Sequence, residues 1–380
     1  MQICVFTCSR SEYSLLFPIM KEIEKSESLS LQLAITGTHL LPEFGMSKNI
    51  IQENGFNIDL EIQVPQYEDT LEFQTEVASS VLKKLGENLK KFKTDILLVL
   101  GDRYEVLPAV YAAFLLNIPI AHIHGGDLSG NIDNSIRFAI SRLSHIHFCA
   151  TELSANRLRK IGEEEWRIYV VGSPSIDNVK NVPMEENKIR KKYGIPLDKE
   201  FLLVVLHPET GGEAKPQENF VKIALDAIKE LKQETVFIYP NYDYGSSQIT
   251  NEIKKLEKVE WFHILKNVPH TDYINLLRSC FLLVGNSSSG IIEASAIKKP
   301  VINLGNRQDG RERAGNVIDL PFDKDIIVKT IKKLQKDKNS YLKYTNTKNI
   351  YGKGNSAQKI VKILESIKVN QKLLKKHIIL

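Results

Sequence analysis

Short apolar runs rich in β-branched residues alternate with longer amphipathic stretches along almost the whole chain. In the first half, runs at 3–6, 31–35, 58–62, 96–100, 118–123, 146–150 and 168–171 read as strands. Helical spacing of apolar residues fills the intervals at 15–23, 71–91, 106–116, 135–143 and 153–161. Such βαβ alternation predicts a parallel sheet covered by helices on both faces. After Gly172-Ser173-Pro174 the pattern restarts, with strands at 201–206, 235–239, 261–265, 281–284 and 301–304. Helices are expected at 220–231, 248–256, 273–277 and 291–297. The charged segment 178–199, which holds two prolines, reads as a hinge.

A chain of 380 residues exceeds what one hydrophobic core usually serves. The fold class expected is therefore α/β, with two doubly wound Rossmann-like domains and a cleft between them. The boundaries expected are 1–175 and 176–355, followed by a C-terminal helix at 356–380 that returns to the first domain. In such sheets ligands bind beyond the carboxyl ends of the strands. The loops at 7–14, 101–105, 124–133, 207–212, 240–246, 285–290 and 305–313 all sit there.

Composition narrows the class further. The chain is 42% apolar and 26% charged, an ordinary globular balance, and no apolar run approaches the roughly 20 residues of a membrane helix. Cys4, Cys8, Cys149 and Cys280 lack metal-ligand spacing, which fits reduced thiols in a cytoplasmic protein. The net charge of +5 is uneven: residues 329–380 hold 14 lysines against Asp337 and Glu365, a local +12, so the preceding 328 residues carry −7. Lys359, Lys362, Lys372 and Lys376 interleave with Ile360, Ile363, Leu364, Ile367, Leu373 and Leu374 at helical spacing. That pattern reads as a solvated helix face, without the aromatic interleaving of a nucleic-acid surface.

Candidate chemistry lies in the strand-end loops. The strand Phe281-Leu282-Leu283-Val284 runs into Gly285-Asn286-Ser287-Ser288-Ser289-Gly290 and then a helix. Free N–H groups and three hydroxyls there suit a phosphate, with Glu293 placed for ribose hydroxyls; a plain N-cap is the alternative. Arg10, with Ser14 behind it, offers a guanidinium at the first turn, which lacks a GxGxxG dinucleotide fingerprint. Asp102 and Arg103 follow a fully apolar strand, where a carboxylate can act as acid or base or simply pair with arginine. His124 precedes Gly125-Gly126-Asp127, and Asp133 lies six residues on; three carboxylates here match no familiar metal motif. His207 suits a leaving phosphate, Asn241 adds an amide, and Arg307 and Arg311 add guanidiniums.

Taken in order, these motifs resemble the hydrolysing UDP-N-acetylglucosamine 2-epimerases. The matching pieces are Cys8-Ser9-Arg10-Ser11-Glu12-Tyr13-Ser14, Gly101-Asp102-Arg103, His122-Ile123-His124-Gly125-Gly126, Gly130-Asn131-Ile132-Asp133, His207-Pro208, Tyr239-Pro240-Asn241, the Gly285–Gly290 turn and Val301-Ile302-Asn303-Leu304-Gly305-Asn306-Arg307-Gln308. The resemblance implies a GT-B fold and a UDP-sugar substrate. Ser287, Ser288 and Glu293 would hold diphosphate and ribose, and Arg307 the uridine side. Arg10, Ser14 and His207 would lie near the leaving diphosphate, and Asp102 and Asp133 match acids of the family's chemistry. At one position the chain departs: the family often has Glu where this chain has Asp127, so the charge sits on a shorter arm. The reaction implied is loss of UDP to give a 2-acetamidoglucal, then addition of water, releasing the free 2-epimer. UDP-N-acetylglucosamine is the expected donor, with UDP-N,N′-diacetylbacillosamine as alternative.

No metal, redox cofactor, nucleic acid or membrane is called for, and a homodimer or homotetramer is expected. Three other readings stay open: a non-hydrolysing epimerase, a glycosyltransferase and a silent UDP-sugar sensor. The first typically carries Gly-Thr-Arg-Pro-Glu where this chain has Cys8-Ser9-Arg10-Ser11-Glu12.

Overall fold

A computed structural model describes residues 1–68, 70–130, 132–209, 217–240, 244–266 and 268–379. The chain divides into two compact units. One comprises Met1–Leu128, Ile132–Asn178 and Tyr351–Leu380; the other comprises Ser129–Asn131 and Val179–Ile350.

The first unit is built on seven parallel strands: β1 Gln2–Thr7, β2 Ser30–Ile35, β3 Leu60–Glu61, β4 Ile96–Leu100, β5 Ile120–Ile123, β6 Ile146–Cys149 and β7 Ile168–Val170. Their order is β3-β2-β1-β4-β5-β6-β7. Every residue of β4 is buried, as a strand covered on both faces requires. The second unit holds β8 Leu202–Val205, β9 Thr235–Ile238, β10 Phe262–Leu265, β11 Leu282–Gly285, β12 Val301–Leu304 and β13 Val317–Leu320, also parallel. Their order is β10-β9-β8-β11-β12-β13. In both sheets the order of strand addition reverses once, between β1 and β4 and between β8 and β11. At such a switch point the loops on either side diverge and leave a crevice for a ligand.

The first helix, Arg10–Lys25, shows how sequence fixes these elements. Ser9 caps it by accepting from the Glu12 N–H at 3.4 Å, and Tyr13, Leu16, Ile19, Met20 and Ile23 form its buried stripe. Pro18 has no N–H to give the carbonyl of Ser14 one turn earlier. Asn178 supplies a substitute, its Nδ2 donating to Ser14 O at 2.6 Å.

Several elements differ from expectation. Ile291 does not open the helix after the serine turn; a 3-10 turn, Ser288–Gly290, comes first, and an α-helix of five residues follows at Glu293–Ile297. The segment read as a hinge contains the helix Glu186–Lys192. The Arg278 guanidinium donates to the carbonyls of Val179, Val182 and Pro183 at its start. β13 and the helix Lys324–Lys336 were not among the expected elements. The basic tail forms two helices, Ser356–Ser366 and Gln371–Leu374. Lys359, Lys362 and Lys372 are exposed. Lys376 is not part of a solvated face: its Nζ meets Glu163 Oε2 at 2.8 Å and donates to the carbonyls of Arg142 and Ser144 at 2.8 and 2.5 Å. Burial pulls its ammonium down to about 8.

Candidate active site

In the first unit, the loops after β1, β4 and β5 carry the candidate residues. Arg10 is the first residue of its helix, and the Ser14 hydroxyl donates back to its carbonyl at 2.9 Å. Beneath them Glu12 is buried, its Oε2 accepting from the Cys8 N–H and thiol at 2.9 Å each. Burial raises the Glu12 carboxyl to about 7, against the opposing pull of the Arg103 charge and the Cys8 hydrogen bonds. Arg103 forms a two-pronged pair with the fully buried Glu105, both bonds at 3.2 Å. Across the switch point, Asp102 is ion-paired with Arg137, which is 2% exposed on the helix Asp133–Leu143. The same guanidinium donates to Asp127 O and Asn134 Oδ1 at 2.9 Å each. Asp133 begins that helix, so one rigid element ties Asp133 to the partner of Asp102 and to the Asp127 backbone.

His124 takes a left-handed backbone, φ 64°, which costs a non-glycine residue roughly 1–2 kcal/mol. The strain is held by contacts on both ring nitrogens. Nδ1 bonds Asp127 Oδ2 at 3.1 Å and Nε2 bonds Ser173 Oγ at 3.1 Å. The other carboxylate oxygen of Asp127 accepts from Ser154 Oγ at 2.6 Å. Gly126 has φ 77°, and a Cβ there would stand 2.2 Å from Ser154 O, so only glycine lets the turn lie against the helix Glu152–Lys160. His122 is a structural residue; buried between Ser141 Oγ and Gly101 O, it is pushed down to about 3 and stays neutral.

In the second unit the candidates gather at the β8–β11 switch point. Gly285, φ 147°, ends β11, and a Cβ there would fall 1.9 Å from Val205 O. The next residue, Asn286, is 1% exposed and is the hub. Its Oδ1 accepts from His207 N at 2.7 Å, its Nδ2 donates to His207 O at 2.9 Å, and its own carbonyl accepts from Arg307 Nη1 at 3.2 Å and Gln308 Nε2 at 2.9 Å. One buried asparagine thus joins the loops, its side-chain amide holding His207 and its main-chain carbonyl holding Arg307 and Gln308. Glu209 accepts from Asn306 N at 3.2 Å, and burial raises its carboxyl above the usual range. Arg311 follows in the same loop, its N–H donating to Gln308 O at 3.2 Å. Gly130 N–H donates to Arg307 O at 2.9 Å.

The three serines do not act alike. Ser287 caps the 3-10 turn, accepting from Ser289 N at 3.4 Å. Ser289 Oγ instead pairs with the buried Tyr273 hydroxyl, whose ionisation burial and Glu293 both oppose. Ser287, Ser288 and Ser289 are half-buried, Gly290 is buried and Glu293 heads its short helix. A five-residue helix adds little dipole, and the N–H groups of Asn286, Ser289 and Gly290 already donate within the fold. Asn241, Asn131 and the stretch Thr210-Gly211-Gly212 lie outside the described residues. Sequence reasoning missed Asn286, Arg137, Ser154 and Tyr273. Asn286 stood within a motif already singled out, whereas the other three carry no local signal. Among the described residues no group of three or more His, Cys, Asp or Glu side chains is placed to hold a metal ion, and no helix is long and apolar enough to cross a membrane.

Residues 21–365 match the model of the UDP-N-acetylglucosamine 2-epimerase family. The chain belongs to that family. One member, the UDP-N,N′-diacetylbacillosamine 2-epimerase (hydrolyzing) of Legionella pneumophila, is 33% identical over 384 residues, covering 99% of this chain and 98% of its own. Another, the GDP/UDP-N,N′-diacetylbacillosamine 2-epimerase (hydrolyzing) of Campylobacter jejuni, is 35% identical over 327 residues, 84% of each chain. In fold, the chain is similar to the crystal structure of UDP-GlcNAc 2-epimerase from Neisseria meningitidis bound to UDP-GlcNAc. That likeness has a TM-score of 0.83 at 22% identity, over 97% of this chain and 100% of the other. The two doubly wound units are those of the GT-B fold. The short Asp127 carboxylate is seated between His124 and Ser154.

Proposed function

We propose that this chain is a hydrolysing 2-epimerase that converts a UDP-2-acetamido sugar into UDP and the free 2-epimer. The observation that carries the reading is the pair of switch-point clusters. One is rich in hydroxyls and cations suited to a nucleoside diphosphate; the other is rich in carboxylates suited to proton transfer. UDP-N,N′-diacetylbacillosamine is the donor favoured by the two hydrolysing relatives at 33% and 35% identity. UDP-N-acetylglucosamine is the second reading, favoured by the description of the family.

In the proposed reaction Ser287, Ser288 and the backbone of the Asn286–Gly290 turn hold the diphosphate, Glu293 the ribose and Arg307 the uridine side. Arg10, Ser14 and His207 stabilise the charge that grows on the departing UDP. The C1–O bond breaks and the C2 proton passes to a carboxylate among Asp102, Asp127 and Asp133, giving a 2-acetamidoglucal. Water then adds its oxygen to C1, and C2 takes a proton on the opposite face, which inverts that centre. Arg103, His124, Asn241, Ser289, Gly290 and Arg311 complete the proposed binding set. The enzyme is proposed to work in the cytoplasm as a homo-oligomer.

The test is a UDP-release assay with both donors, coupled to identification of the sugar. Release of UDP with a free 2-epimer is expected, faster with the diacetylated donor. An epimerised sugar that still carries UDP contradicts hydrolysis, and UDP binding without turnover of either donor contradicts the enzyme assignment.

A further inference from the structure

The Asp127 carboxylate sits at the N-terminus of the helix Glu152–Lys160, which is nine residues long and capped by Thr151. Its neighbours form a chain of hydrogen bonds. Thr151 Oγ1 accepts from Ser154 N at 3.2 Å, and its hydroxyl lies 3.0 Å from Ser154 Oγ. Ser154 Oγ donates to Asp127 Oδ1 at 2.6 Å. Asp127 Oδ2 bonds His124 Nδ1 at 3.1 Å, His124 Nε2 bonds Ser173 Oγ at 3.1 Å, and Ser173 Oγ lies 3.0 Å from Ser175 Oγ. Ser154 is 1% exposed, and Ser173 and Ser175 are fully buried. Thr151 is the N-cap and Ser154 lies in the first helical turn, so the Ser154 hydroxyl is not the cap and donates to the carboxylate. The backbone of Ser154 also packs against Gly126, so the donor cannot drift relative to the turn that bears Asp127.

We propose that Ser154 is a positioning residue of the epimerase reaction: it clamps the short arm of Asp127 and, through that carboxylate, fixes the ring of His124. The proposal rests on the reading given under Proposed function. A carboxylate gripped on both oxygens has one orientation, and the shorter arm needs a donor brought to it from another element. Among the described residues, the charged and titratable groups around Asp127 include His122 and His124 from β5 and its loop, Cys149 from β6, Arg137 from the helix Asp133–Leu143, and Arg157 from the Ser154 helix. Arg157 donates to Gly126 O at 3.1 Å.

The experiment replaces Ser154 by Ala in the full chain. Loss of one charge-assisted hydrogen bond is expected to lower kcat about tenfold with KM and UDP affinity little changed. Removing a donor disfavours the ionised carboxylate, so the acid limb of the kcat–pH profile moves to higher pH. In an Asp127→Glu background, where the longer arm leaves the clamp, the same Ser154→Ala change should cost markedly less. Should Ser154→Ala not fold by circular dichroism, Ser154→Cys is read in its place.

A second readout does not depend on turnover: titration of the Asp127 carboxyl by carbon NMR, assigned by difference from Asp127→Asn. Its midpoint should rise in the Ser154 variant. An unmoved midpoint, or unchanged kcat with an unmoved acid limb, overturns the proposal while leaving the epimerase reading intact. A wild-type protein inactive on both donors counts against that reading alone, and the titration still decides the role of Ser154.

Discussion

Single side chains at the switch points behave as burial and pairing dictate. Glu12, raised to about 7 by burial, holds its proton in the fold at pH values where an unfolded chain has lost it. A carboxyl raised in this way favours the fold below about pH 4.5, and that stability is lost as pH rises through 7. Glu12→Gln removes the titration, so its melting temperature relative to wild type should climb between pH 5 and pH 8. A difference that stays constant across that range would contradict the assignment. Asp102 presents a different case, because its partner Arg137 comes from a helix 35 positions along the chain. Asp102→Asn keeps size and shape but removes the charge. Turnover should fall by roughly 10² to 10⁴, with UDP affinity measured by calorimetry within about twofold of wild type. Affinity falling as steeply as turnover would make Asp102 a structural residue. The candidate acids were legible because each follows an apolar strand. Arg137, Ser154 and Asn286 were not, because their roles arise from partners distant in sequence.

Among elements, strands were read best where branched apolar residues run unbroken, as in Ile96–Leu100, whose two faces are both covered. The one described strand that was missed lies at a sheet edge, although the edge strands β3, β7 and β10 were expected. β13, Val317–Leu320, has only one neighbouring strand and a half-buried, partly polar pattern, so periodicity alone does not mark it. The serine turn misled in another way. Its glycines and hydroxyls correctly signalled a strand end, but Ser287 bonds Ser289 N and tightens the next residues into a 3-10 turn ahead of the helix. The element that organises this region is the Asn286 bridge across β8 and β11. Asn286→Ala removes both side-chain bonds to the His207 backbone, while the carbonyl that accepts from Arg307 and Gln308 is kept. A loss of UDP affinity of roughly tenfold or more is expected by titration calorimetry. Unchanged affinity would show that the bridge does not serve the nucleotide.

At the scale of the molecule, the chain closes its first unit with its own C-terminus. Arg167, fully buried, donates to the carbonyls of Leu373 and Lys375 at 2.8 Å each, and Lys376 caps the carbonyl end of the helix Asp133–Leu143. Glu164 pairs with Arg167, and Glu163 anchors Lys376. Burial opposes its charge, but the bond from His147 and the charges of His147 and Lys376 outweigh that and hold its carboxyl down to about 2. Its folded value lies below the ordinary 4.5, so this stability is present above about pH 4.5 and is lost as pH falls toward 2. Wild type should therefore lose stability to urea between pH 5 and pH 3 more steeply than Glu163→Gln; parallel curves would contradict the anchor. The basic tail could not reveal this from its spacing, because one buried lysine among many exposed ones leaves the pattern unchanged.

The proposed reaction turns on the fate of one carbon, C2 of the sugar. The protein is incubated in D₂O with UDP-N,N′-diacetylbacillosamine or UDP-N-acetylglucosamine, and the sugar is followed by NMR. Free UDP is expected, together with an unattached 2-epimer deuterated at C2. A product that retains UDP, or a released sugar with its original C2 proton and configuration, would contradict the proposed reaction.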